Sequence, residues 1–222
     1  MIILEVLHNS IINYLIFNLT FYLANGLLFL IDYFKLFVNM KIQTDKTINT
    51  NVLMDTYRKS LSTVLQNTLI YIIPIICVFA LYEETYTGEF SLLKFMFDIG
   101  ICRILTEILF YSVHRIFHMN MFYQYVHKKH HEITTPIGIS SVYMTFIDLY
   151  IGNIMPVYLP MILLNAHPLT IKIWIFMTTM NTIIFAHSGF KLIAEAHDYH
   201  HSNFTKNFGT DLFMDRLFGT QH

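Results

Sequence analysis

The chain has 222 residues, of which 55% are hydrophobic, 16% aromatic and 13% charged, with a formal net charge of -1. Soluble domains carry about twice that charged fraction, and the mean hydropathy is +0.49, so a soluble enzyme is not the first expectation and apolar spans are. The absence of excess positive charge gives no global field for nucleic acid. Cys77 and Cys102 both lie inside apolar runs without a CxxC pair, which argues against a disulfide scaffold or a cysteine zinc site.

The first ten residues contain Glu5 and no Lys or Arg, unlike the start of a cleaved signal peptide, so the first apolar run reads as a retained helix. Residues 9–31 are free of charge and long enough to cross the hydrocarbon layer, which takes about 20 helical residues. A polar linker, 41–59, follows. Residues 60–81 form a second span with Pro74 as an expected kink. A third, 92–113, carries Lys94, Asp98, Arg103 and Glu107. Runs 149–164 and 169–186 form a closely spaced pair that turns near Asn165, Ala166, His167 and Pro168. The expected fold is an all-α membrane protein of about four to five transmembrane helices. Its expected units are an N-terminal membrane helix with linker, 1–59, and a catalytic domain, 60–222.

Lys41, Lys46, Arg58 and Lys59 concentrate in the linker, and Arg115, Lys128 and Lys129 follow the third span. Glu83, Glu84 and Glu89 mark the connection between the second and third spans. By the positive-inside rule the linker and the region after the third span face the cytosol, with the acidic loop and the turn at His167 opposite.

The chemistry lies in the 12 histidines. His8, His167 and His222 are isolated and read as structural. The others fall into His114-Arg-Ile-Phe-His118, His127-Lys-Lys-His130-His131, the single His187, and His197-Asp-Tyr-His200-His201. Helical residues three or four apart share a face, so each cluster presents imidazoles to one metal or metal pair. Adjacent histidines point about 100° apart on a helix, which assigns His130 and His131 to different ions, or makes one a ligand and the other its support. Nine imidazoles are too many for one ion, and two ions with four or five ligands each would use them all. Burying so many titratable rings beside a membrane without a metal would be costly. Imidazole suits zinc, copper, iron and nickel, but structural zinc sites usually bring cysteine. Neutral histidine ligands leave a metal pair with high positive charge, which suits an iron pair that takes up electrons and binds oxygen. Spacing alone does not force iron over zinc, and two iron ions are expected, with zinc as a substitute.

These boxes resemble the fatty acid hydroxylase and sterol desaturase superfamily of membrane-bound di-iron enzymes. The resemblance covers roughly the last half of the chain, from the HxxxH box at His114 through the His127 box with Glu132, His187-Ser-Gly-Phe and the His197 box to a closing pattern. That pattern holds Asn207, Asp215 and Phe218-Gly-Thr220. Within the superfamily the boxes are nearest to methylsterol monooxygenase and cholesterol 25-hydroxylase. The resemblance implies a cytosolic, histidine-rich helical cap on membrane helices, an endoplasmic reticulum location, and molecular oxygen as oxidant. It further implies a lipid or sterol substrate and cytochrome b5 or a reductase as electron donor. Asn207 and Asp215, by the same pattern, orient ligand imidazoles from behind. The loop between His187-Ser-Gly-Phe and the last box is shorter than in the superfamily.

The expected activity is oxidation of a sterol or related lipid by a membrane-bound di-iron oxygenase. A lipid desaturase on the same metal site, or a non-catalytic metal- or lipid-binding membrane protein, are the alternatives. A metal transporter would place its ligands near the bilayer midplane, whereas these boxes sit beyond the ends of apolar runs.

Overall fold

The computed structural model describes residues 2–43 and 49–222. Among these residues the chain is helical, without strands, and carries one isolated antiparallel bridge, Lys41 to Phe190. Five long helical passes are labelled α1 (Ile2–Tyr33), α2 (Thr50–Thr85), α3 (Leu92–Phe117), α4 (Asp148–Leu163) and α5 (Pro168–Ala186). Two short helices follow, α6 (Glu195–Asn203) and α7 (Phe213–Phe218). Among the described residues, α1, α2 and α5 are long and apolar enough to cross a membrane, and α4 is a shorter apolar helix.

Helix α1 is an inverted amphipath. Its buried stripe is Asn18, Phe21, Asn25, Leu28 and Asp32, at alternating spacings of three and four residues, while Leu15, Leu19, Leu23, Leu27 and Leu30 are exposed. A soluble helix turns its polar face outward; here polar groups face the bundle and leucines face outward, as in a bilayer. Asn13 donates to Glu83 of α2 at 3.0 Å, while Asn18 and Asn25 bond back to the carbonyls of Tyr14 and Phe21.

The polar linker is shorter than its composition suggests. Asn49 caps α2 by accepting from Asn51 and Val52 N–H, so the helix starts at Thr50 and runs without a break through residues 59 and 60. Residues 44–48, with Lys46, lie outside the described residues. Ahead of Pro74 the helix opens into a π turn, Gln66–Tyr71, and restarts at Ile73 with the proline in its first turn, where a missing N–H is harmless.

Helix α3 carries five charges, and each has a partner; Arg115 donates to the Tyr111 hydroxyl one turn back. Lys94 pairs with Asp98 at 2.7 Å, Arg103 with Asp211, and Glu107 accepts from the N–H groups of Thr210, Asp211 and Met214. The segment after Asn207 thus folds back along the polar face of α3. A Cβ on Gly209 would collide with the Glu107 carboxylate, so glycine lets that segment approach.

The passes run alternately between two ends. At one end Asn9 meets Glu84, Tyr82 meets Asn165 and the Ala166 carbonyl, and the rings of Tyr86 and Phe90 stand edge-on to His167. His167 is structural, its Nδ1 accepting from Leu169 N–H to cap α5. At the other end Lys41 lies against Ser188 and Phe190, and Lys59 pairs with Glu132 at 2.9 Å, beside the histidine boxes. Phe79, Cys102, Met161, Ile171, Trp174 and Ile175 pack the bundle between them.

Candidate metal centre

All nine boxed histidines converge at one end of the bundle, and they divide into two groups. His114, His118, His127, His131 and His200 form one; His130, His187, His197 and His201 form the other. Within each, one ring nitrogen per residue lies within 4.8 Å of all the others. The adjacent pairs His130 and His131, and His200 and His201, each split between the groups. The groups touch where the rings of His131 and His201 lie 4.6 Å apart.

Local irregularity of the backbone sets up this convergence. His114 sits in the last turn of α3 and His118 caps it. His127 ends a π turn, Tyr123–His127, and His130 and His131 occupy a separate 3-10 turn, His130–Glu132, so this box is not the regular helix that its spacing suggests. His187 follows another π segment, Asn181–Ala186. The first box, on the end of α3, and the last, on α6, sit on ordinary α-helices. Widened turns rotate the residues that follow them, and they recur at functional sites.

Hydrogen bonds fix the tautomers. The outer nitrogen of His114 donates to Phe208 O at 2.7 Å, that of His187 to Thr182 O at 2.8 Å, and that of His200 to Lys206 O at 2.7 Å. His201 donates to Ile133 O at 3.0 Å, and His127 Nδ1 to Asp148 Oδ2 at 2.7 Å. A carbonyl or carboxylate only accepts, so these Nδ1 atoms carry the proton and the Nε2 lone pairs face inward. There they crowd: the Nε2 lone pairs of His127 and His114 face each other at 3.0 Å, with Nε2 of His131 3.0 Å from that of His127, and Nε2 of His197 3.0 Å from that of His201 and 3.2 Å from that of His187. Lone pairs that face each other at such distances repel unless a cation sits between them. Nε2 of His118 and of His200 is buried without a hydrogen-bond partner among the described residues. The donor set therefore fits a bound metal.

Burial reinforces it. Burial, and then neighbouring imidazoles, hold His130, His131, His197, His200 and His201 below the ordinary histidine range. Burial followed by His127 brings His118 to about 3, and burial brings His187 to about 4. All seven are neutral near pH 7, the form that ligates metal.

Neither Asn207 nor Asp215 hydrogen-bonds directly to one of the nine imidazoles among the described residues. Asn207 adopts a left-handed backbone, donates to Ala196 O and accepts from His222 N–H. Asp215 accepts from Phe208 and Gly209 N–H and from the Thr220 hydroxyl. Both shape the closing loop, and Asp215 reaches the site only through Phe208, whose carbonyl receives His114. Asparagine tolerates the left-handed turn it adopts here.

The carboxylate behind an imidazole is instead Asp148, whose side chain is 1% exposed. The sequence offers a faint signal for it: a lone acid at the head of an apolar run. It stands in a π turn, Asp148–Ile154, and a Cβ on Gly152 would strike its Oδ1. Two further supports come from the first 43 residues. Lys41, 2% exposed, pairs with Asp32 at 2.7 Å and donates to Ser188 O at 2.6 Å, next to His187. Gln43 donates to Thr134 O and to Asp198.

An apolar cavity of about 1100 Å³ leads from the passes to both histidine groups. Phe17, Phe110, Phe117, Trp174 and Phe185 line it, with His114, His127, His130, His187 and His197 at its end.

The fatty acid hydroxylase family model matches residues 99–220. Human fatty acid hydroxylase domain-containing protein 2 is 36% identical over 130 residues, 57% of this chain and 39% of that protein. Rat methylsterol monooxygenase 1 is 27% identical over 97% of this chain and 75% of its own length. Very-long-chain aldehyde decarbonylase GL1-8 of Oryza sativa subsp. indica is 32% identical over 53% of this chain and 49% of its own length. The chain thus spans well under half the length of the human relative. No solved structure matches it. A model covering more than half of the residues, histidine boxes included, makes this all-helical membrane chain a member of the fatty acid hydroxylase family.

Proposed function

We propose that the chain is a di-iron oxygenase that hydroxylates or otherwise oxidises a sterol or related lipid, using molecular oxygen and electrons from cytochrome b5 or a reductase. The observation that carries this is the pair of inward-facing histidine groups at the end of an apolar, lipid-sized cavity. The sterol class is supported by the relative named methylsterol monooxygenase, which aligns with 97% of this chain.

Iron over zinc is supported by ligand number and spacing. Four tetrahedral ligands with bonds of about 2.1 Å stand about 3.4 Å apart, and ligands at right angles about 3.0 Å apart. The first group has five histidines, with ligand atoms within 4.8 Å of one another, one more than a tetrahedral zinc site takes, and its closest Nε2 pairs lie 3.0 Å apart. When bound, the iron pair supplies oxygen activation by taking up electrons. The chain's residues do the rest. His114, His118, His127, His131 and His200 would hold one ion, and His130, His187, His197 and His201 the other. Asp148 keeps the Nδ1 proton on His127 and turns its lone pair inward. Phe110, Phe117 and Phe185 exclude water and guide an apolar chain to the histidines.

The location in this proposal is the endoplasmic reticulum membrane with the histidine end in the cytosol, supported by Lys41, Lys59, Arg115 and Lys128 at that end. Residues 60–222 would be the catalytic domain, preceded by the helix and linker of 1–59. Lipid analysis of cells with and without the chain under oxygen-18 tests the activity. A lipid that gains oxygen-18 with the wild type, and not with His127→Ala, supports it; no labelled lipid in either overturns it.

A further inference from the structure

Beyond α1 the chain crosses the histidine end before it enters α2. Lys41 and Phe190 pair in the antiparallel bridge, with Lys191 N–H donating to Met40 O at 2.8 Å and Ile42 N–H to Gly189 O at 2.9 Å. Lys41 Nζ reaches further, to Ser188 O at 2.6 Å, and its pair with Asp32 at 2.7 Å ties the crossing to α1. Gln43 then joins two more segments. Its Nε2 donates to Thr134 O at 3.0 Å and to Asp198 Oδ1 at 2.7 Å, and its Oε1 accepts from the Thr135 hydroxyl at 2.8 Å.

Each of these contacts falls beside a ligand of the four-histidine group. Ser188 follows His187, and Asp198 follows His197. Thr134 follows Ile133, which ends the turn bearing His130 and whose carbonyl receives His201 Nδ1. The five-histidine group is oriented from other places: His114 by Phe208 O, His127 by Asp148 and His200 by Lys206 O. A buried ion pair adds little net stability over apolar side chains of the same volume, so what Lys41 and Asp32 contribute is a fixed donor at Ser188 O. His187 stands on a loop, where a site is held less precisely than on a helix, and an outside support supplies what the loop lacks. Residues 40–43 precede the matched family region, which begins at residue 99.

We infer that residues 40–43 are a positioning clamp for the four-histidine group, through which α1 sets how tightly the second ion is held. This rests on the two-ion centre proposed above. The clamp supplies no ligand; it acts through the segments that carry His130, His187, His197 and His201. Loss of a group behind a ligand costs about 10–100-fold in metal affinity, and here that loss falls on one ion of the two.

The test is competition for ferrous iron by graded chelators in the anaerobic full chain, with ions counted by native mass spectrometry. Gln43→Ala is combined with His118→Ala, which leaves the four-histidine group intact, and separately with His197→Ala, which leaves the five-histidine group intact. The expected result is that Gln43→Ala weakens the ion retained by His118→Ala about 10–100-fold and leaves the ion retained by His197→Ala unchanged. A general loss of stability weakens both, so equal weakening overturns the inference. No weakening, or weakening of the His197→Ala ion alone, overturns it too; in all three cases the two-ion centre stands. Fewer than two ions in the wild type, or none in either histidine variant, defeats the two-ion centre and this inference with it. Should Gln43→Ala not fold, Asp32→Asn with Lys41→Met takes its place, removing the donor at Ser188 O without stranding a charge.

Discussion

Removing the Asp148 carboxylate is the sharpest perturbation of the metal centre that leaves all nine imidazoles in place. Asp148 Oδ2 lies 2.7 Å from His127 Nδ1, with side-chain exposures of 1% and 5%. Asp148→Asn keeps an oxygen that can accept the Nδ1 proton but removes the charge; Asp148→Ala removes both and leaves a buried donor unpaired. Loss of a partner behind a ligating histidine costs about 10–100-fold in metal affinity or activity, roughly 1.4–2.8 kcal/mol at about 1.4 kcal/mol per tenfold. Asparagine should fall near the lower end and alanine near the upper. His127 Nε2 sits 3.0 Å from two neighbours of its group, so a freed ring disturbs that group first. The second shares no first-group ligand and should keep its ion. The assay is competition against a graded series of chelators, with metal counted per chain. Unchanged affinity in Asp148→Ala would show that His127 needs no orienting group and would refute the reasoning.

Three further outcomes follow. His187→Ala should abolish oxidation and lower metal content while insertion persists, and His167→Ala, at the opposite end, should keep both; full metal and turnover in His187→Ala would remove it from the ligand set. Lys41→Met strands the Asp32 carboxylate, and breaking such a buried pair costs about 3–5 kcal/mol; thermal unfolding in detergent should reveal it, and an unchanged midpoint would contradict it. The metal-free protein should lose stability as pH falls below about 6.5, the unfolded histidine value, because the unfolded chain then binds protons that the buried rings refuse. The loss should continue toward the folded values of about 4 for His187 and about 3 for His118; a stability flat from pH 7 to 5 would refute it.

Much of the fold was legible because membrane helices are written in long apolar runs and the boxes in ligand spacings. Runs 9–31, 60–81 and 169–186 lie within α1, α2 and α5, and of the two readings that the angular offset left open for His130 and His131, the structure puts the residues in different groups. What the spacing missed is irregular backbone. The π turns before His127 and His187 leave no periodic signature, since they add one residue to a turn. Asp148 was invisible as a partner because its neighbour His127 is distant in sequence and is brought to it by tertiary packing. Lys41 and Asp32 were hidden for the same reason: a lysine in a polar linker looks solvated until the bridge to Phe190 buries it. Asn207 and Asp215 were recognisable as a pattern, but a pattern does not say whether a residue turns the chain or touches a ring.

The most direct test of the central claim is metal stoichiometry after anaerobic loading with ferrous iron under zinc-poor conditions. The account predicts about two iron ions per chain, falling toward one in either His118→Ala or His197→Ala, because the two residues belong to different groups. A wild-type content near zero for every transition metal, or a single ion lost alike in both variants, would contradict it.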